Sequence, residues 1–92
     1  MKNKIFQCTS HYIIICDDLE TARGIPLVGV DFKHDINMIL EILSYYQCKM
    51  WYANQEDAIF VLEEKKGCLQ VLHKEKIGWC ANSSVIKWKE IA

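Results

Sequence analysis

The sequence predicts an α+β fold: a small, strongly bent antiparallel sheet with one helix packed across it. Three observations lead there. Short runs rich in β-branched and aromatic residues recur along the chain, most densely from Ala58 to Ile91, with turn residues between them. Only one segment, about 35–47, carries a helical apolar period over more than a single turn. At 92 residues the chain has the size of a single domain, 1–92, and it shows no internal repeat, low-complexity tract or linker.

Tyr12 to Cys16 is a compact β-branched run and reads as a strand. Asp17-Asp18 ends it, because Asp competes for local backbone hydrogen bonds and favours turns. Leu19 to Arg23 has room for one helical turn before Gly24-Ile25-Pro26 breaks any continuation. Leu27 to Phe32 follows as a strand, weakened by Gly29 in its middle. Asp35 then stands where an N-cap belongs, and Ile36, Ile39, Leu40 and Leu43 fall at i, i+3, i+4 and i+7 on one face. Met38 and Ile42 widen that face, while Asn37, Glu41 and Ser44 supply the polar side. A strand over Met38–Leu43 is the rival reading, but its alternation places apolar residues on both faces. A helix over about 35–47 is therefore the expectation.

Lys49 to Ala53, carrying Trp51 and Tyr52, is the next strand, and Asn54-Gln55-Glu56-Asp57 is a turn. Ala58–Glu63 and Cys68–His73 form a hairpin in which Gly67 can take the positive φ that a tight turn needs. The charged run Lys74-Glu75-Lys76 separates it from Ile77–Ala81, and Val85–Glu90 closes the set. Six or seven short, mostly sequential strands suit a meander-like sheet or small barrel.

Over 58–91 the pieces Val61-Leu62-Glu63-Glu64, Leu69-Gln70-Val71, Lys76-Ile77-Gly78-Trp79 and Ser83-Ser84-Val85-Ile86 follow one another as strand, strand, Gly-Trp strand and Ser elbow. That order resembles the C-terminal part of a bacterial SH3-type (SH3b) barrel. The resemblance implies a module that binds peptides or glycans through a groove lined by aromatics, with Trp79 and Trp88 in or behind it. The chain departs from the family at Cys68-Leu69, where an aromatic pair is common, and at Val85, where an aromatic is usual.

A formal net charge of −1 and scattered basic residues give no electrostatic reason to expect nucleic acid. Met1-Lys2-Asn3-Lys4 is basic, but no unbroken apolar run and cleavage site follow it, and Tyr12–Cys16 is far too short to cross a bilayer. A cytoplasmic protein that does not engage the membrane is the expectation. Five cysteines, Cys8, Cys16, Cys48, Cys68 and Cys80, are an odd count that suits a reducing compartment, where Cys packs as a small hydrophobe.

The candidate binding residues are the aromatics Tyr45, Tyr46, Trp51, Tyr52, Trp79 and Trp88. Trp and Tyr join large apolar area to a polar handle, which serves a recognition surface and a small core equally well. Cys8-x-x-His11 is the one close pair of zinc-type ligands; structural zinc wants two such pairs, so no metal or cofactor is expected. No phosphate loop, nucleophile elbow or informative carboxylate pair appears, and no Cys is marked as a nucleophile by its neighbours. The expectation is a non-catalytic protein-binding module whose partner is a host protein, itself, or both. Small, motif-free chains rich in Lys, Ile and Asn are typical of AT-rich bacteria, their phages and mobile elements, which points to an inhibitor or regulator. A small-ligand or cell-wall glycan binder using the SH3-like groove is the alternative, and a metal or thiol enzyme the third reading.

Overall fold

The structure, a computed structural model, describes residues 1–8, 12–24, 41, 44, 49–54, 56–82 and 87–91. These form seven strands and one short helix: β1 (Ile5–Cys8), β2 (Ile13–Cys16), α1 (Leu19–Gly24), β3 (Met50–Ala53), β4 (Ile59–Lys65), β5 (Cys68–His73), β6 (Lys76–Ala81) and β7 (Trp88–Glu90). The strands make a single sheet in the order β3-β2-β6-β5-β4-β1-β7, with every neighbouring pair antiparallel. The sheet is strongly curled, a half-barrel dominated by strand.

The curl is visible in who shares the core. Phe6 and Cys8 of β1 pack in one cluster with Ile13 and Ile15 of β2 and Ala53 of β3, although β3 and β1 lie far apart in the strand order. A flat sheet cannot bring them together. Leu69 and Val71 of β5, Ile59 and Val61 of β4 and Cys80 of β6 complete the cluster from the middle of the sheet. Two bonds close the bend: Gln7 Nε2 donates to the Glu56 carbonyl at 2.7 Å, and the Glu56 N–H donates to the Cys8 carbonyl at 3.3 Å. A register shift between Val61 and Glu63 in β4 adds local twist, as bulges do.

The hairpin of β4 and β5 forms where the sequence places it, and Gly67 takes φ 76° beside Lys66 at φ 52°. α1 is the one helical turn expected after Asp17-Asp18. Asp18 caps it, accepting from the Thr21 N–H at 2.9 Å and the Thr21 hydroxyl at 2.7 Å. The same two bonds, the hydroxyl's first, hold the Asp18 carboxyl below its usual range. α1 packs on β6, β2 and β5.

β1 was not among the expected strands. Its four residues alternate half-buried Ile5 and Gln7 with buried Phe6 and Cys8, a period too short to stand out beside the charged Met1–Lys4 segment. The expected helix over about 35–47 lies outside the described residues except at Glu41 and Ser44; both are helical, and Ser44 Oγ donates to the Glu41 carbonyl at 2.7 Å. The strand expected over Leu27–Phe32 and the Ser83-Ser84 elbow also lie outside them. Among the described residues, no helix is long and apolar enough to cross a membrane.

Candidate functional site

The alternation of β5 turns Leu69, Val71 and His73 to the same inner face. His73 is thereby the buried polar side chain of the described residues, 3% exposed. Buried polar groups need partners, and His73 has one at each ring nitrogen. Nε2 lies 2.8 Å from Oδ2 of Asp57, and Nδ1 lies 3.1 Å from Nε1 of Trp51. An indole nitrogen only donates, so Nδ1 must accept and the ring proton is assigned to Nε2, directed at the Asp57 carboxylate.

Asp57 anchors this chain from the turn between β3 and β4. Oδ2 also accepts from the Asn54 N–H at 3.0 Å and pairs with Lys74 Nζ at 3.6 Å. Burial alone would push the Asp57 carboxyl up; the His73 hydrogen bond, the Asn54 N–H and the Lys74 charge together outweigh it and hold the group below its usual range.

Trp51 reaches His73 because β6 carries no side chain at Gly78. A Cβ there would meet Ile15 Cγ2 at 2.7 Å, Trp51 Cη2 at 2.7 Å and the Cys16 carbonyl oxygen at 2.8 Å. The indole and the β2 backbone occupy that space, which fixes the ring on the inner face. Over the ring sits Lys76, with Nζ 5.3 Å from its centroid, a cation–π distance. Met50, Trp51, Tyr52, His73, Lys74 and Lys76 line a shallow depression of about 270 Å³. Beyond Trp51 and Lys76 a second depression of about 340 Å³ is lined additionally by Asp17, Lys49, Glu75 and Ile77. Among the described residues, the lining of the first holds two lysines and no carboxylate, and that of the second mixes both signs.

The β5–β6 turn that carries these lysines is strained. His73 pairs with Lys76 across it, and the two residues between, Lys74 and Glu75, both take positive φ, 47° and 69°. That is the pattern of a type I′ hairpin turn, where Asn-Gly is the favoured pair. The same turn between β4 and β5 uses Lys66-Gly67. On the outer face of the hairpin, Leu72 and Ile77 stand directly opposite each other and are 37% and 56% exposed.

The four candidate aromatics among the described residues are dispersed. Trp51 and Tyr52 lie in β3, half-buried on opposite faces, and Tyr52 meets Tyr12 edge-on at 5.8 Å. Trp79 is half-buried in β6, opposite Gln70 and Cys16, on the face turned away from Gly78 and Cys80. Trp88 packs against the core at the far end of the sheet, edge-on to Phe6 at 6.4 Å, with its N–H donating to Asn82 Oδ1 at 3.1 Å. Tyr45 and Tyr46 lie outside the described residues. The depression thus gathers Trp51 and Tyr52 with His73, which the sequence reading placed at a strand end, and with Lys74 and Lys76 of the charged run, while Asp57, read as a turn residue, holds His73 and Lys74 from outside the lining. The signal for His73 was its phase, a histidine at the inward position after Leu69 and Val71.

Cys8, Cys16, Cys68 and Cys80 are all buried thiols. Cys8 and Cys80 belong to the inner core, while Cys68 pairs with Ala81 and Cys16 with Trp79 on the opposite face. Burial, reinforced by the neighbouring thiols, drives Cys80 far above the usual thiol range; burial also raises Cys68, with Arg23 opposing and Glu20 adding. Neither is poised as a thiolate. Cys48 and the His11 of the close pair lie outside the described residues, and among the described ones no three His, Cys, Asp or Glu side chains are placed to hold a metal ion.

Chemically, Asp57–His73 has the distance of an acid–base dyad, but the lone pair a base would use is the one that accepts from Trp51. The arrangement locks a tryptophan and two lysines in place at a strained hairpin end. No known protein family, curated protein or solved structure matches this chain.

Proposed function

We propose that this chain is a small, non-catalytic protein-binding module with an SH3-like sheet, acting inside the cell on a host protein as an inhibitor or regulator of the phage or mobile-element type. The observation that carries the reading is the end of the β5–β6 hairpin. It presents exposed Leu72 and Ile77 on one face and Lys74 and Lys76 on the other, where Trp51 of β3 lies under Lys76. Apolar area ringed by charge is the make-up of a recognition surface. The β4–β5–β6 meander, with β7 returning beside β1, supports the SH3-like reading. The engaged lone pair of His73 and the protonated, buried Cys80 support binding over chemistry, and the buried thiols support a reducing compartment.

The test is capture from a bacterial lysate with tagged protein, read by mass spectrometry together with native mass. One stoichiometric host protein, released by changing Trp51 or Ile77 in a folded variant, is the expected result. Recovery of the tagged chain alone, as a monomer, would sink the reading; a symmetric dimer would make the chain its own partner.

A further inference from the structure

We propose that the depression beside Trp51 is a docking site for an acidic segment of the partner protein, with carboxylates held between Lys74 and Lys76 and an adjoining apolar side chain against Trp51 and Met50; this rests on the binding-module reading above. Two independent observations carry it. The first is the lining, which among the described residues is Met50, Trp51, Tyr52 and His73 with two ammonium groups and no carboxylate. Asp57, pinned by His73 and the Asn54 N–H, pairs with Lys74 from outside the described lining, and both lysines are held rather than free to sweep solvent, Lys74 by Asp57 and Lys76 by the indole face. Lys74 nonetheless leaves two thirds of its side chain exposed, so its remaining donors face outward. A preplaced pair of ammonium groups beside an aromatic floor is complementary to carboxylates on an extended chain.

The second observation is the backbone. Lys74 and Glu75 both occupy the left-handed region at a turn where Asn and Gly fit without strain, and the equivalent turn at Lys66-Gly67 uses glycine. Strain kept at a surface turn marks a position held for what its side chains do. Lys74 is the side chain that this turn delivers to the depression.

The experiment is a fluorescence titration of the full chain with three short synthetic peptides of alternating Leu and a second residue: Glu, Gln or Lys. The Glu peptide is expected to bind about ten-fold more tightly than the Gln peptide at low salt, and to lose that margin in high salt. The K74Q/K76Q variant is expected to bind the Glu and Gln peptides alike, while K74E/K76E prefers the Lys peptide; thermal melts confirm that each is folded. Binding that ignores peptide charge, or an acidic preference that survives both variants, overturns the acidic occupant and leaves a binding module that docks elsewhere. Failure of all three peptides also overturns it, and the lysate capture then decides separately whether the module reading stands.

Discussion

The indole N–H of Trp51 and Nδ1 of His73 face each other at 3.1 Å across the inner side of the curled sheet. Because one can only donate, the other must accept, and the histidine is held in its Nε2–H form against Asp57. The bond ties β3 to β5, two strands that are not neighbours in the sheet. It therefore does for the end of the half-barrel what ladder bonds do within it.

Replacing Trp51 with Phe keeps most of the ring and removes the donor. His73 Nδ1 is then a buried acceptor without a partner, which costs about 1–3 kcal/mol. Urea unfolding of W51F reads this directly. A nitrogen-detected NMR spectrum of wild type at neutral pH should show Nδ1 unprotonated and Nε2 protonated; the opposite tautomer would break the assignment.

Acid should weaken the fold through Asp57. Its folded-state carboxyl sits below the usual range, so the unfolded chain takes up the proton more readily. The stability it contributes is fully present above the unfolded value of about 3.9 and is lost as pH falls below it toward the folded value. Thermal melts between neutral pH and about pH 3 should show a steeper acid decline in wild type than in D57N.

Gly78→Ala places a methyl group within 2.8 Å of the Cys16 carbonyl and within 2.7 Å of both Ile15 and Trp51. The backbone oxygen cannot swing aside as a side-chain end can. Overpacking of this kind costs about 1–3 kcal/mol, and the indole must leave its seat. Chemical denaturation and the Trp51 indole N–H resonance should both report the change, whereas Gly67→Ala, with open space around it but φ 76°, should lose stability without moving that resonance.

Lys74→Asn with Glu75→Gly gives the strained turn the pair it favours. Relief of two left-handed non-glycine residues is expected to add about 1–2 kcal/mol of stability. A higher melting temperature with weaker binding of acidic peptide would show strain retained for function; no gain in stability would show that the turn carries no strain.

Cys80 should resist alkylation in the native state at pH 8, since burial keeps its thiol protonated. Mass-resolved labelling is expected to modify it only at the rate at which the chain unfolds, and fast labelling would contradict its burial.

Local signals were legible wherever one residue type dictated a conformation. Gly67 at its turn, the Ile13–Cys16 run and the helical turn that begins at Leu19 all follow from side-chain chemistry acting within a few residues. β1 was harder, because Phe6 and Cys8 mark an inner face only once β4 and β7 lie beside them. The site was less legible still. Asp57, His73 and Trp51 come from one turn and two strands that are not neighbours, and only the curl of the sheet joins them. The aromatic residues drew attention by size, yet Trp51, Trp79 and Trp88 went to three different surroundings because strand phase, not bulk, decides which face a side chain takes.

The pairing of β1 with β7 also sets a timetable. Phe6 opposite Glu90, Gln7 opposite Lys89 and the Ile91 N–H on the Ile5 carbonyl are contacts between the first and last strands. A chain emerging from the ribosome cannot make them until Trp88–Glu90 has left it, so the edge of β1 that pairs with β7 stays open after the other edge can pair with β4. The β4–β5 and β5–β6 hairpins are local, but β1–β7, β1–β4, β2–β3 and β2–β6 join distant segments, and until those pairings form the partly made sheet keeps open edges that invite aggregation.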